Sequence, residues 1–105
     1  MPGATDKYLK GPDQGWGGLQ ARIVGSDVFA PVFRRGSHLL LDPKCSCSTG
    51  DAVAITAKNG DVYLGFLTNV TRGRWTITVA GSMAERTFRD PELRNISKIR
   101  AVVFA

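Results

Sequence analysis

The sequence lacks any long hydrophobic run. No stretch of its 105 residues approaches the ~20 apolar residues that span a bilayer. Residues 1–20 also lack the apolar core of a signal peptide. The composition, 43% hydrophobic and 22% charged, is typical of a soluble globular domain and argues against disorder. We therefore expect one cytoplasmic domain with no membrane partner.

Thiols and imidazoles are also scarce. The sequence has two cysteines, Cys45 and Cys47, and one histidine, His38, which does not stand at a metal-ligand spacing from them. Because a tetrahedral zinc site takes four ligands, we predict no metal and no cofactor. A single residue between two cysteines rarely allows an unstrained disulfide, so the sequence predicts two free thiols in a loop.

Acidic residues are fewer than basic ones, nine against 14, which gives a net charge of +5. The basic residues form short clusters separated by apolar stretches rather than one long run, which indicates a mildly cationic surface. An alternative is a small basic β-barrel that binds nucleic acid through Arg72, Arg74 and Trp75. The other clusters are Arg34-Arg35, Arg86 with Arg89, and Arg94 with Lys98 and Arg100.

A periodic apolar pattern is missing from residues 1–18. This segment holds five of the 12 glycines, which predicts a flexible tail or linker. Tyr8, Leu9 and Trp16 are its only candidate anchors to the domain. Residues 19–105 form the predicted domain.

From Leu19 onward the pattern is that of β-strands, which recur about every ten residues and predict a mostly antiparallel β domain. Asn59-Gly60 predicts a hairpin in which both residues take positive φ. Asp90-Pro91 is the one candidate helical start, with Asp90 as N-cap. The predicted strands cover residues 19–23, 37–42, 51–57, 62–68, 75–79 and 99–104. The predicted core comprises Leu39, Leu41, Val53, Ile55, Leu64, Phe66, Trp75, Ile77 and Val102.

Five motifs occur in a recognisable order. Residues 23–37 read IVGSDVFAPVFRRGS and precede the apolar strand 39–42. A Gly50-Asp51 element, the Asn59-Gly60 hairpin and the strand 96–104 follow. This order resembles the C-terminal domain of LexA and lambda-type repressors, over residues 19–105. The resemblance implies the small antiparallel fold of LexA and the signal peptidases.

The resemblance also implies a degenerate active site. Family members cleave a peptide bond with a serine that a buried neutral lysine activates. Counting back from Pro31 places the serine at Val28, and counting forward from Gly25 places it at Asp27. The lysine position falls on Gly65. Neither Asp27 nor Val28 supplies a hydroxyl nucleophile and Gly65 supplies no amine, so we expect a catalytically inactive domain.

Two alternatives keep a nucleophile. An active self-cleaving peptidase with a displaced dyad would use Ser26, with Lys58 as base, although Lys58 stands in the hairpin turn. Residues 81–83, Gly-Ser-Met, look like the family's nucleophile triplet, but too little chain follows them and we interpret them as a turn. We interpret Ala80-Gly81, which resembles the family's self-cleavage dipeptide, as a coincidence. His38 is expected to be a structural residue.

The family's C-terminal domain also joins repressor protomers, so that paired helix-turn-helix domains bind a two-fold operator. No helix-turn-helix pattern occurs here, so binding to DNA would need a domain outside this chain. The resemblance implies an inactive dimerisation module of a phage or bacterial repressor, released by an antirepressor protein. The apolar C-terminal strand would be an aggregation hazard unless it were covered. The predicted interface of the homodimer or higher oligomer is Ile99, Arg100, Ala101, Val102, Val103 and Phe104.

Overall fold

The computed structural model describes residues 9–10, 15–16, 19–43 and 47–103. The strands of these residues form one antiparallel sheet in the order β1-β3-β4-β9-β5-β6-β7-β8, with β2 also paired to β3. This arrangement confirms the predicted mostly antiparallel β class. The strands are β1 (Leu9–Lys10), β2 (Gly15–Trp16), β3 (Leu19–Val24), β4 (His38–Asp42), β5 (Ala52–Ala57), β6 (Val62–Thr71), β7 (Arg74–Val79), β8 (Glu85–Arg89) and β9 (Leu93–Val103).

Two short strands occur within the first 18 residues. In β1, Leu9 lies opposite Val24, and in β2, Trp16 lies opposite Leu19. Both strands therefore add backbone pairing to β3. The predicted anchor Tyr8 lies outside the described residues.

The last strand is longer than predicted and is not an isolated edge. β9 begins at Leu93, and its first half pairs with β5, where Ile96 lies opposite Ile55. Its second half pairs with β4, where Val102 lies opposite Leu39. The chain's own sheet therefore covers one edge of residues 99–103. Phe104 lies outside the described residues.

Two apolar clusters lie on opposite sides of β5 and β6. Six of the predicted core residues are buried, and Phe66, Trp75 and Val102 are partly buried against the clusters. The first cluster contains Val24, Phe29, Phe33, Leu39, Leu41, Ala54, Val62, Leu64, Ala80 and Ile99. The second contains Val53, Ile55, Leu67, Ile77 and Phe88.

The β5–β6 connection is a hairpin, as predicted, but its geometry differs. The Gly60 N–H donates to the Ala57 carbonyl at 2.9 Å, and among the two predicted turn residues only Gly60, with φ +95°, is left-handed. The Asn59 side chain instead accepts a hydrogen bond from the Asp61 N–H at 2.9 Å. A three-residue loop with one left-handed glycine satisfies these bonds, so the predicted positive φ at Asn59 is wrong.

Two short 3₁₀ turns and one strand complete the fold. The turn Asp90–Glu92 lies where a helical start was predicted, but its N-cap is Arg89 rather than Asp90. The turn Asp27–Phe29 and the strand β8 were not predicted. β8 lacks the usual alternation because Arg86, opposite the buried Ile77, lies over the Tyr63 ring, 4.7 Å from its centroid. In the described part of the chain, no helix is long and apolar enough to cross a membrane.

The prediction of two free thiols is wrong for Cys47, which is disulfide-bonded. The backbone at Cys47 lies in no strand or helix, so no ladder constrains its torsions, and a rule based on typical cysteine spacing is weak in such a loop. Cys45 lies outside the described residues. Within the described ranges, no three His, Cys, Asp or Glu side chains come together as metal ligands.

Candidate functional site

The segment that resembles the family's nucleophile region forms the 3₁₀ turn Asp27–Phe29. Ser26 caps this turn, and its Oγ accepts a hydrogen bond from the Val28 N–H at 3.2 Å. Phe29 anchors the turn in the first apolar cluster. Val28 is 48% exposed, and the Asp27 carboxylate lies 3.5 Å from the Arg35 guanidinium. At the predicted serine positions the chain therefore presents an isopropyl group and an ion-paired carboxylate.

The position that resembles the family's lysine has no room for a side chain. Gly65 lies within β6, opposite Val79 of β7. A Cβ atom on Gly65 would overlap the carbonyl oxygen of Thr78. Because the obstacle is backbone rather than a flexible side chain, a lysine here would have to displace β7.

A second glycine joins the β7–β8 turn to the Asp27–Phe29 turn. Gly81 has φ +94°, and a Cβ atom on it would overlap the carbonyl oxygen of Val28. Residues 80–82 form a turn, as the sequence predicts for Gly81-Ser82. The Ala80-Gly81 dipeptide, interpreted as a coincidence from the sequence, therefore packs against the degenerate nucleophile position.

A cleft of about 340 Å³ lies beside this contact. Its walls are largely apolar, with polar atoms contributed by Asp61, Tyr63 and Ser82. None of the residues that line it is a lysine, and Gly65 is not among them. The lining residues are Val28, Phe29, Asp61, Val62, Tyr63, Val79, Ala80 and Ser82.

The displaced dyad is not assembled in this structure. The Ser26 hydroxyl is used in the cap to Val28, and Lys58 lies in the β5–β6 hairpin, where its N–H donates to the Glu92 carbonyl at 2.9 Å. No hydrogen bond joins Ser26 to Lys58 in the described ranges. Among the described residues, no hydrogen bond therefore joins this hydroxyl to a base that could take its proton.

The predicted interface strand has two different faces. Ile99 is buried and Val102 packs against the first apolar cluster, whereas Ala101 and Val103 are exposed, Val103 to 64%. Arg100 binds Asp42 through two nitrogens, at 3.1 and 2.9 Å from Oδ2. The register shift at Arg100 places Ile99 and Val102 on the core side although they are three residues apart, whereas Ala101 and Val103 project outward.

The outward pair belongs to a larger apolar surface. Ala101 lies opposite Leu40, and Val103 lies opposite His38. Directly opposed residues of antiparallel strands project from the same side of a sheet. The partners of Leu40 and His38 on β3 are Ala21 and Ile23, so the surface spans three strands. We call the set Ala21, Ile23, His38, Leu40, Ala101 and Val103 the apolar outer face.

The backbone beside this face is also open. The β5–β9 ladder ends where Val53 lies opposite Lys98. In the described part of the chain no strand pairs with residues 100–103 on the side away from β4. Such a segment can accept another strand through its free N–H and C=O groups.

The residues of the nucleic-acid alternative do not share a side of the sheet. Trp75 packs against the second apolar cluster, and its Nε1 donates to Asp90 Oδ1 at 2.9 Å. Arg74, its neighbour in the strand, is exposed and projects from the other side. Arg74 instead lies opposite Arg89 of β8. The sequence could not indicate this pair because β8 carries no regular alternation.

The Gly50-Asp51 element is structural. Asp51 Oδ2 accepts a hydrogen bond from the Ser48 N–H at 2.9 Å and lies 3.5 Å from the Lys98 ammonium. The Ser48 N–H, followed by the charge of Lys98, lowers the pKa of Asp51 below its ordinary value, and partial desolvation opposes this shift. This carboxylate therefore ties the loop before β5 to β9.

The chain matches no protein-family model and no curated protein. What it does is therefore inferred from its own residues.

Proposed function

We propose that the chain is a catalytically inactive, LexA-like dimerisation module of a phage- or bacterial-type transcriptional repressor, acting in the cytoplasm. The observation that carries this proposal is the exposed apolar pair Ala101 and Val103, on a strand whose second edge is open in the described part of the chain. The antiparallel β fold and the residues at Asp27, Val28 and Gly65 support it.

A second copy of the chain fits this surface on physical grounds. In a two-fold dimer that joins the open edges of β9, the exposed Ala101 and Val103 side chains of the two copies become cross-strand neighbours on one side of the continuous sheet. The apolar area that these side chains remove from water contributes roughly 25 cal/mol per Å². Two copies of residues 100–103 running antiparallel would also satisfy each other's open backbone groups.

Charge on the strand does not oppose this pairing. A two-fold axis near residues 100–103 brings two copies of Arg100 towards each other. Each guanidinium is held by Asp42 of its own chain at 2.9 Å. The ion pair has little net charge, so repulsion between the two copies is small.

Dimerisation explains how a domain without a nucleophile serves a repressor. Joining two DNA-binding domains makes the second half-site contact intramolecular and raises the affinity for a two-fold operator. A chain that does not cleave itself needs another route of release. Binding of an antirepressor protein that competes for the apolar outer face is one such route.

Sedimentation of three proteins tests the dimer. The wild-type chain should show a concentration-dependent monomer–dimer equilibrium. Val103→Asp should raise the dimer dissociation constant at least ~100-fold while the monomer stays folded, because a buried unpaired carboxylate is costly. Val28→Asp is the matched control, since Val28 is also an exposed valine and should leave the dimer intact. A wild-type chain that is monomeric at high micromolar concentration, or equal dissociation by both variants, would contradict the proposal.

Mass spectrometry after incubation at alkaline pH tests the inactivity. Alkaline conditions deprotonate lysine and favour a Ser-Lys mechanism. The wild-type chain and Ser26→Ala should both stay intact. Cleavage of the wild type that disappears in Ser26→Ala would instead establish the displaced dyad.

A further inference from the structure

The outer side of β6, β7 and β8 carries an unusual set of side chains. Thr71 of β6 lies opposite Arg74 of β7, which lies opposite Arg89 of β8. In the next row, Asn69 of β6 lies opposite Thr76 of β7, which lies opposite Thr87 of β8. Because opposed residues share a side of the sheet, these rows form one surface. We call the set Asn69, Thr71, Arg74, Thr76, Thr87 and Arg89 the basic outer face.

Two like charges oppose each other on this surface without a counter-charge. Arg74 and Arg89 are exposed cross-strand neighbours, an arrangement that destabilises a sheet. In the described ranges neither forms an ion pair. The two acids that follow Arg89 form hydrogen bonds with groups other than its guanidinium: Asp90 accepts from Trp75 Nε1, and Glu92 accepts from the Arg89 backbone N–H at 2.9 Å.

The uncharged members of the face are hydrogen-bond donors. Thr76 Oγ1 and Thr87 Oγ1 lie 2.9 Å apart, so one hydroxyl donates to the other. The second hydroxyl proton of this pair stays available to a ligand. Asn69 and Thr71 are exposed beside them. The face therefore combines guanidinium, hydroxyl and amide donors, and none of its six side chains is acidic or apolar.

We propose that the basic outer face binds the phosphate backbone of duplex nucleic acid without reading its sequence. Arginine, threonine and asparagine are side chains that bind phosphate oxygens, and arginine does so with two parallel hydrogen bonds. A protein partner fits less well, because protein interfaces have an apolar centre and this face has none. A single strand also fits less well, because its bases need aromatic stacking surfaces and Trp75 is on the other side.

This inference does not depend on dimerisation. The face is complete within one chain, and residues 100–103 contribute nothing to it. In a dimer the two copies would bring two such faces to one duplex and raise the apparent affinity. Binding by a monomeric variant such as Val103→Asp would therefore support the face even if the dimer proposal failed.

Fluorescence anisotropy with a labelled DNA duplex of about 20 base pairs and random sequence tests the proposal. Contacts of Arg74 and Arg89 with two phosphates give a slope of log K against log salt near −1.8, so binding should weaken roughly 12-fold between ~50 and ~200 mM salt. The double variant Arg74→Gln/Arg89→Gln should lose at least ~10-fold in affinity at the lower salt, and its slope should flatten by about 1.8. Its melting temperature should not fall, because both side chains are exposed.

A variant with the same change in net charge distinguishes binding at the basic outer face from general attraction by the positive charge of the chain. Arg34→Gln/Arg35→Gln removes two exposed arginines from the loop before β4 and should keep most of the affinity and the slope. Three results would overturn the proposal. The two double variants could lose the same affinity, or the salt slope of the wild type could be near zero. The wild type could also bind polyglutamate, or a single strand of the same length, more tightly than the duplex.

Discussion

The apolar outer face and the basic outer face belong to the same sheet but differ in almost every property. In the apolar outer face every side chain except His38 is aliphatic, the Asp42–Arg100 ion pair lies next to it, and one strand edge is open among the described residues. On β6, β7 and β8 they are polar or cationic. Both regions direct apolar residues inward, to separate clusters. The inward residues hold the fold together, whereas the partners that we propose for the outward residues differ: a second copy of the chain on one side and phosphate on the other.

The two regions meet at two points. The β7–β8 turn packs against the Asp27–Phe29 turn through Gly81 and the Val28 carbonyl. In the sheet, Lys98 is the residue where β9 changes partner, since it lies opposite both Val53 and Asp42. Substitutions at these junctions test whether the regions are energetically coupled, and substitutions on the faces test whether they are distinct.

The largest effect on stability is expected at the first junction. Gly81→Ala should lower the free energy of unfolding by about 2–4 kcal/mol, because it adds strain at positive φ to an overlap with backbone. Gly50→Ala is the control: Gly50 has φ +97° but nothing lies within 4 Å of a Cβ there, so it should cost about 1 kcal/mol. Urea denaturation measures both. Equal costs would show that the contact with Val28 contributes nothing.

A substitution on the basic outer face is expected to have a smaller effect on stability, and of opposite sign. Arg89→Gln should raise the free energy of unfolding by about 0.2–1 kcal/mol, because it removes the repulsion from Arg74. The gain should shrink in ~1 M salt, which screens exposed charges. Arg100→Gln, which removes an ion-paired arginine, should give no gain. A loss of stability in Arg89→Gln would mean that the arginine pair is not repulsive, and the contrast between the two faces would weaken.

The stability contributed at the second junction, where Asp51 contacts Lys98, should depend on pH. The pKa of Asp51 is lower in the folded chain than its ordinary value of 3.8. Its ionised form therefore stabilises the fold fully above that value, and the stabilisation is lost as the pH falls through the lower, folded-state pKa. The difference in stability between wild type and Asp51→Asn should be constant from pH 7 to about 5 and should shrink below about 3.8. Thermal melts across this range measure it, and a difference independent of pH would contradict the role given to the Asp51 carboxylate with Ser48 and Lys98.

Sequence patterns predicted the strands in which large apolar residues recur at every second position. Residues 52–57 and 74–79 have clear alternation, and both are strands close to their predicted bounds. β8 was missed because Arg86 faces inward with Phe88, so its polar and apolar residues do not alternate. The first half of β9 was missed because Asn95 and Ser97 interrupt its apolar pattern. A polar residue on the core-facing side of a strand interrupts the apolar periodicity on which such predictions depend.

The candidate surfaces were predictable only in part. Alternation along residues 101–104 of the sequence separates two pairs of side chains, but it does not say which pair faces the core. That choice depends on the pairing of Val102 with Leu39, a long-range contact. The opposition of Arg74 and Arg89 depends likewise on the register of β8. The absence of a lysine at Gly65 is visible in the sequence, whereas the backbone overlap that excludes one is visible only in the structure.

The central claim is that residues 100–103 pair edge to edge with a second copy of the chain and bring the Ala101 and Val103 side chains of the two copies together. An isotope-filtered nuclear Overhauser experiment on a mixture of ¹³C-labelled and unlabelled chains measures this contact directly. The claim predicts intermolecular signals from the methyl groups of Ala101 and Val103 and none from Val28. Two results would contradict it. One is a sample that sediments as a dimer but gives intermolecular signals only from other residues. The other is a chain that stays monomeric at millimolar concentration and gives no intermolecular signal.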